Sequence, residues 1–227
     1  EMSSRGLGDV YKRQLINWLK LLAKESEPIA REMYAANGWF ACLATNPFGR
    51  MTPSASTPES QFINGVLDPL AGAWMVMNLW DHYEFSQDRA FLEEELYPLL
   101  SGASTFILDA LVTDDNGTAH FVPSASPENS YVDPETGRKI RIVASSPYHL
   151  AVIRAVFGAT LEAAAILGIQ DEVGKRIRQQ EPKLPPFTID QQGKLMEWPE
   201  AFEEAEPGHR HLSHLLGLHP FDLITPE

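Results

Sequence analysis

From Pro147 to Leu167 the chain carries a pattern that only a helix packed against other elements satisfies. Leu150, Ile153, Val156, Phe157, Leu161 and Ile166 recur at helical spacing, and Gly168 stands where a left-handed C-cap belongs. Such a stripe needs other apolar faces to cover it. Leu15, Ile16, Leu19, Leu21 and Leu22 form one short helix face, and a second helix is expected from Pro28 to about Tyr34, with Ser26 as N-cap. Leu70 to Tyr83 is apolar nearly all round, as in a helix buried on most sides. Asp88 caps a long helix reaching about Val112, with a kink expected at Pro98, and Asp171 opens another that ends by Glu181. The fold class is therefore mainly α. With neither a heptad seam nor an exact repeat, a toroid of helix hairpins with its site at one mouth fits better than a short-looped bundle.

Long loops carry the polar residues. Asn37 to Asp68 lacks periodicity and is rich in Gly, Pro, Ser and Thr, with Gly38, Trp39 and Phe40 expected to anchor it by burial. Asp115-Asn116-Gly117 marks a turn, Arg141 to Val143 a short strand, and Ile189 to Trp198 a hairpin around Gln192-Gly193. The first fourteen residues, EMSSRGLGDVYKRQ, resemble a translated sequencing-adapter scar and are expected to lie outside the native sequence. Residues 15–227 then form part of a longer domain.

Charge and composition exclude some partners. A net charge of −13 without clustered Lys or Arg argues against nucleic acid. No apolar run approaches membrane length, and a single cysteine, Cys42, rules out an intramolecular disulfide. Phosphate-loop, dinucleotide and serine-hydrolase elbow motifs are absent, so no cofactor is implied.

Chemistry concentrates in the segment FVPSASPENSY, from Phe121 to Tyr131. Proline fixes a backbone angle and Ser and Asn hydrogen-bond locally, so this loop can aim one carboxylate, Glu128; it also satisfies ordinary turn chemistry. Asn129 beside it is a candidate ligand contact. Trp74, Met77 and Trp80 share helical spacing and read either as core or, for Trp80, as a stacking platform for a sugar ring. The run HRHLSHLLGLHP offers His209, His211 and His214 at a spacing compatible with zinc, but Arg210 would repel a cation. Arg210 and His211 could equally donate hydrogen bonds to ligand hydroxyls, or simply begin a helix. Acid chemistry among polar and aromatic loops suits a glycosidase, which needs a proton donor to the leaving oxygen and a second group acting on water.

Taken together, Gly38-Trp39, the PSASPEN run from Pro123 to Asn129, the Gly193, Leu195, Glu197 and Trp198 group and HRHLSHLLGLHP closely resemble glycoside hydrolase family 95, over about Ala30 to Pro220. The resemblance implies part of an (α/α)6 barrel and an inverting, exo-acting hydrolase of α-L-fucosides or α-L-galactosides, exported to meet glycan substrates. It implies Glu128 as general acid, with a second group 6.5 to 9.5 Å away across a water, an order-of-magnitude spacing for inverting enzymes. It also implies sugar binding by Arg210 and His211. The family's His, Asn and Asn or Asp after Gly-Trp fall here on Cys42, Ala44 and Asn46, so only Asn46 retains the water-orienting position. Cys42 and Ala44 cannot make those hydrogen bonds, which puts fucose specificity in question and raises a non-catalytic carbohydrate-binding homologue as the alternative. The resemblance places a water-activating aspartate beyond Glu227, so the 227 residues alone are expected to be inactive.

Overall fold

The structure, a computed structural model, describes residues 4–52 and 68–225; the part of the expected long loop at 53–67 lies outside the described residues. Among the described residues five α-helices dominate. Helix α1 spans Ser4–Tyr34, α2 Ala71–Ser86, α4 Pro147–Leu167 and α5 Glu172–Gln180. Helix α3 opens at Arg89–Phe91, passes through a π-helical segment at Leu92–Leu96 and continues as Tyr97–Ala110.

Helix α4 is the centre of the packing and touches α2, α3 and α5. Val152, Ile153, Val156 and Phe157 are buried there, each contributing about 2 kcal/mol of apolar burial. This 21-residue helix contains an 18-residue window of mean hydropathy 1.8 and is long and apolar enough to cross a membrane by length and composition, contrary to the expectation from sequence. Packing accounts for that composition, because neighbours surround the helix and 61% of the apolar window is buried inside the protein. Ser146 accepts from the His149 amide at its start, and Gly168 adopts φ 75° at its end.

Helix α1 differs from the two short helices expected. The apolar stripe of Ile16, Leu19, Leu22, Ala23 and Ala30 stays in phase across Pro28, and that shared core face holds one 31-residue helix together through the missing amide. Ser26 is buried inside it and donates its hydroxyl to the Ala23 carbonyl at 3.1 Å, so it caps nothing. The helix also runs through the Gln14–Leu15 boundary, and Lys12 reaches His82 at 3.0 Å.

In α3, Asp88 caps as expected, accepting from the Phe91 amide at 3.1 Å. The irregularity comes before Pro98: a wider π turn accommodates the residue that lacks an amide. The helix ends at Ala110 because Leu111–Thr113 (β1) pairs instead with Ala119–Phe121 (β2), around a turn held by the Asp114 carboxylate. Gly38 and Trp39 lock the following loop onto α3. Trp39 Nε1 donates to the Leu99 carbonyl at 3.0 Å, and a Cβ on Gly102 would come within 2.7 Å of the Trp39 ring.

Short antiparallel ladders carry the loops. Ser124–Ala125 (β3) pairs with Ile142–Val143 (β6), close to the expected strand. Tyr131–Val132 (β4) lies between Lys139–Ile140 (β5) and Glu203–Glu204 (β7). Residues 126–130 are thus held between two paired strands, β3 before and β4 after. The expected Ile189–Trp198 hairpin narrows to one antiparallel bridge, Ile189 to Leu195, whose turn has Gly193 at φ 81° and Asp190 accepting from the Gln192 and Lys194 amides.

Candidate active site

Glu128 sits at the tip of the β3–β4 loop and lines a cavity of about 360 Å³ with Ser130, Lys139, Ile140, Arg141, Ile142, Ala205 and Glu206. Arg210 forms an ion pair with its carboxylate, and His211 Nε2 lies 3.6 Å from the same oxygen. Sequence reasoning joined Glu128, Arg210 and His211 across more than eighty residues, and the structure brings these three together. The arrangement can bind an oxygen-rich ligand: two nitrogen donors, both partly open to solvent, converge on one partly open carboxyl group.

The loop backbone is fixed from two sides. Glu197, 6% exposed, accepts from the Ser126 hydroxyl at 2.8 Å with one oxygen and from Asn129 Nδ2 at 3.0 Å with the other. From the far side, the Ser213 hydroxyl donates to the Pro127 carbonyl. Ser213 opens the 3-10 turn Ser213–Gly217, so the segment that presents Arg210 and His211 also holds the loop that presents Glu128. Burial pushes the neighbouring His214 imidazole down in proton affinity, against the pull of the Glu197 charge.

Other expected site residues have different surroundings. Asn129 is 2% exposed; its Oδ1 accepts from the Ser130 amide and its Nδ2 serves Glu197, so it shapes the loop and does not face a ligand. Trp80 is 6% exposed in the core cluster with its ring against Tyr83, which is the packing alternative and leaves no open ring face for a sugar. Asn46 closes its own turn: Oδ1 accepts from the Phe48 amide at 3.0 Å and the Arg50 amide at 3.2 Å. It lines a separate cavity with Glu25, Phe48 and Arg50, and the group left for a water is the Nδ2 donor. Cys42 is buried, its thiol pushed up to about 12 chiefly by burial and further by the Asp68 charge.

His209 and His211 pack ring to ring at 5.4 Å, whereas His214 is buried. Among the described residues no group of three His, Cys, Asp or Glu side chains is placed to hold a metal ion.

A second polar chain underlies β3 and was not foreseen. The Ser124 hydroxyl lies 2.8 Å from His149 Nδ1, His149 Nε2 lies 3.0 Å from Asp68 Oδ1, and the Tyr148 hydroxyl donates to Asp68 Oδ2 at 2.8 Å. All four side chains are buried. A Ser-x-x-His spacing across a helix start, Ser146 to His149, was the local signal available; the Asp68 partner lies too far along the chain to be read from it. Glu197 stood in the motif group with Gly193, Leu195 and Trp198, but nothing in the sequence paired its carboxylate with Ser126 and Asn129.

A sequence profile described as the Glycosyl hydrolase family 95 catalytic domain matches residues 3–227. Among curated proteins, "Alpha-L-fucosidase 2" of Arabidopsis thaliana is 36% identical over 215 residues, covering 94% of this chain and 25% of its own length. "Probable alpha-fucosidase A" of Aspergillus niger is 30% identical over 196 residues, covering 84% of this chain and 23% of its own. The chain thus spans about a quarter of the length of the curated relatives it matches. Among solved structures, "Putative kojibiose phosphorylase from human microbiome" superposes with a TM-score of 0.53 at 13% identity, over 76% of this chain and 24% of that one.

Proposed function

The chain belongs to glycosyl hydrolase family 95, and from that premise we infer that the protein it forms part of is an inverting, exo-acting hydrolase of α-L-fucosides or a closely related sugar such as an α-L-galactoside. Glu128 is its general acid, and Arg210 and His211 hold the sugar. The observation that carries this reading is the meeting of Arg210 and His211 at the carboxylate of Glu128, which itself lines a cavity. A glycoside has no permanent charge, so it is gripped by hydrogen bonds, and the guanidinium and imidazole supply donors while the acid's proton goes to the leaving oxygen. The substrate class follows the names of the two relatives. We place the described helices in an (α/α)6 barrel, a reading supported by the family profile and by the likeness in fold to the phosphorylase. Product analysis of the intact protein on α-L-fucosylated and α-L-galactosylated oligosaccharides tests the assignment; release of the β-anomer of the free sugar is expected from inversion.

One observation favours a second reading, in which the protein binds carbohydrate without cleaving it. Cys42 is buried, Ala44 has no polar group and Asn46 has its Oδ1 committed to two amides, so these three positions supply no acceptor for an attacking water. Calorimetry that finds sugar binding without product release by the intact protein selects this reading.

A further inference from the structure

We propose that Glu197 is a positioning residue for the acid Glu128: its buried carboxylate orients the 126–130 loop so that the Glu128 carboxyl reaches the leaving oxygen, and does so through Ser126 and Asn129. This inference rests on Glu128 being the general acid. Ser126 and Asn129 stand two before and one after Glu128, and each gives its side-chain proton to a different oxygen of the one carboxylate, at 2.8 and 3.0 Å. A two-point grip fixes the direction of a loop, where a single hydrogen bond would leave it free to pivot. The loop also closes on itself, with the Asn129 amide donating to the Ser126 carbonyl at 3.0 Å. The two residues between the anchors, Pro127 and Glu128, therefore have no independent freedom.

Glu197 is buried, and both of its oxygens accept hydrogen bonds inside the protein. A buried carboxylate is costly to desolvate, and its two protein donors offset that cost only in this arrangement. It comes from a different part of the chain, 71 residues from Ser126. The grip is therefore a tertiary device and not a feature of the loop itself. A misplacement of about 1 Å at a reacting group costs roughly 100-fold in rate, so the anchoring has a direct kinetic consequence.

A positioning role for the acid makes a prediction that a general structural role does not. Protonation of the leaving group matters for alkoxide-like leaving groups, as in an α-L-fucosyl disaccharide, and little for 4-nitrophenolate, which leaves without help. In the intact protein, Glu197→Gln and Asn129→Ala should each lower kcat/KM on a fucosyl disaccharide by about 100-fold and on 4-nitrophenyl α-L-fucoside by less than about 10-fold. Glu128→Gln, measured alongside, should show the same discrimination with a larger loss. An equal loss on both substrates in the Glu197 and Asn129 variants, or no loss, overturns the positioning role. Absence of discrimination in Glu128→Gln overturns the acid assignment instead. Gln keeps the volume of Glu, and if that variant fails to fold, Asn129→Ala carries the same test with the Glu197 carboxylate in place.

Discussion

Asp68 and His149, 81 positions apart, meet at 3.0 Å in the interior beneath β3. The hydrogen-bond directions around them fix where the protons are. The Ser146 hydroxyl donates to the Ala125 carbonyl at 2.7 Å, so towards Ser124 it can only accept, and the Ser124 hydroxyl proton goes to it. Ser124 must then accept from His149 Nδ1, which carries a hydrogen. Nε2 and Asp68 share the next proton between them. Removing either partner leaves a buried polar group without a match, at a cost of about 3 kcal/mol or more. Asp68→Ala should show that loss in urea unfolding. Asp68→Asn should cost less, about 1 to 2 kcal/mol, because Asn Nδ2 can donate to a bare Nε2 and its oxygen still accepts from Tyr148, while the Leu70 amide loses its acceptor. Equal losses for the two variants would contradict the proton placement.

Gly38 makes a second test, of how the Gly-Trp segment is held. Its φ of 76° lies in the left-handed region, and a Cβ there would meet the Gly102 carbonyl and come within 2.7 Å of the Phe106 amide nitrogen. Neither backbone group can move without disturbing α3. Gly38→Ala should therefore destabilise by about 3 kcal/mol, combining strain and overpacking, and a midpoint shift of only a few tenths of that would refute the close packing.

Much of the helical fold was legible because its rules are local. Asp88, Asp171 and Gly168 sit where caps are expected, and each does cap. The periodicity from Pro147 to Leu167 is the helix observed. Pro28 misled, because a proline signals a break locally, while the continuity of α1 comes from a stripe that spans both sides of it. At the site, Glu128, Arg210 and His211 were legible as motif residues. Asn129 and Trp80 were not decided by sequence: an amide beside an acid and a tryptophan on a helix look the same whether they face a ligand or the interior. Burial by elements distant in the chain decides it, through Glu197 for one and Tyr83 for the other.

Cys42 gives a prediction in pH. Its folded value of about 12 lies above the ordinary thiol value of 9.0, so the folded state holds this proton longer than the unfolded chain. The associated stability is fully present below pH 9 and is lost as pH rises towards 12. The same burial protects the thiol at neutral pH. Native protein at pH 8 should react with a disulfide reagent far more slowly than urea-unfolded protein, and equal rates would show that Cys42 is accessible.

Arg210 tests the sugar grip. Losing a charge-assisted hydrogen bond costs about 1.5 to 3 kcal/mol, so Arg210→Ala should lower kcat/KM of the intact protein on an α-L-fucoside by about 10- to 100-fold. If the contact is made equally in the ground and transition states, KM carries the change and kcat does not. An unchanged kcat/KM would remove Arg210 from the binding site.

The most direct test of the account is the turnover of an α-L-fucosylated oligosaccharide by the intact protein carrying Glu128→Gln. Gln keeps the shape and can still meet Arg210 and His211, but it has no proton to deliver. The account predicts a loss of about 100- to 10,000-fold in kcat with the fold intact. Activity within a few-fold of the unaltered protein would contradict the assignment of Glu128 as the acid.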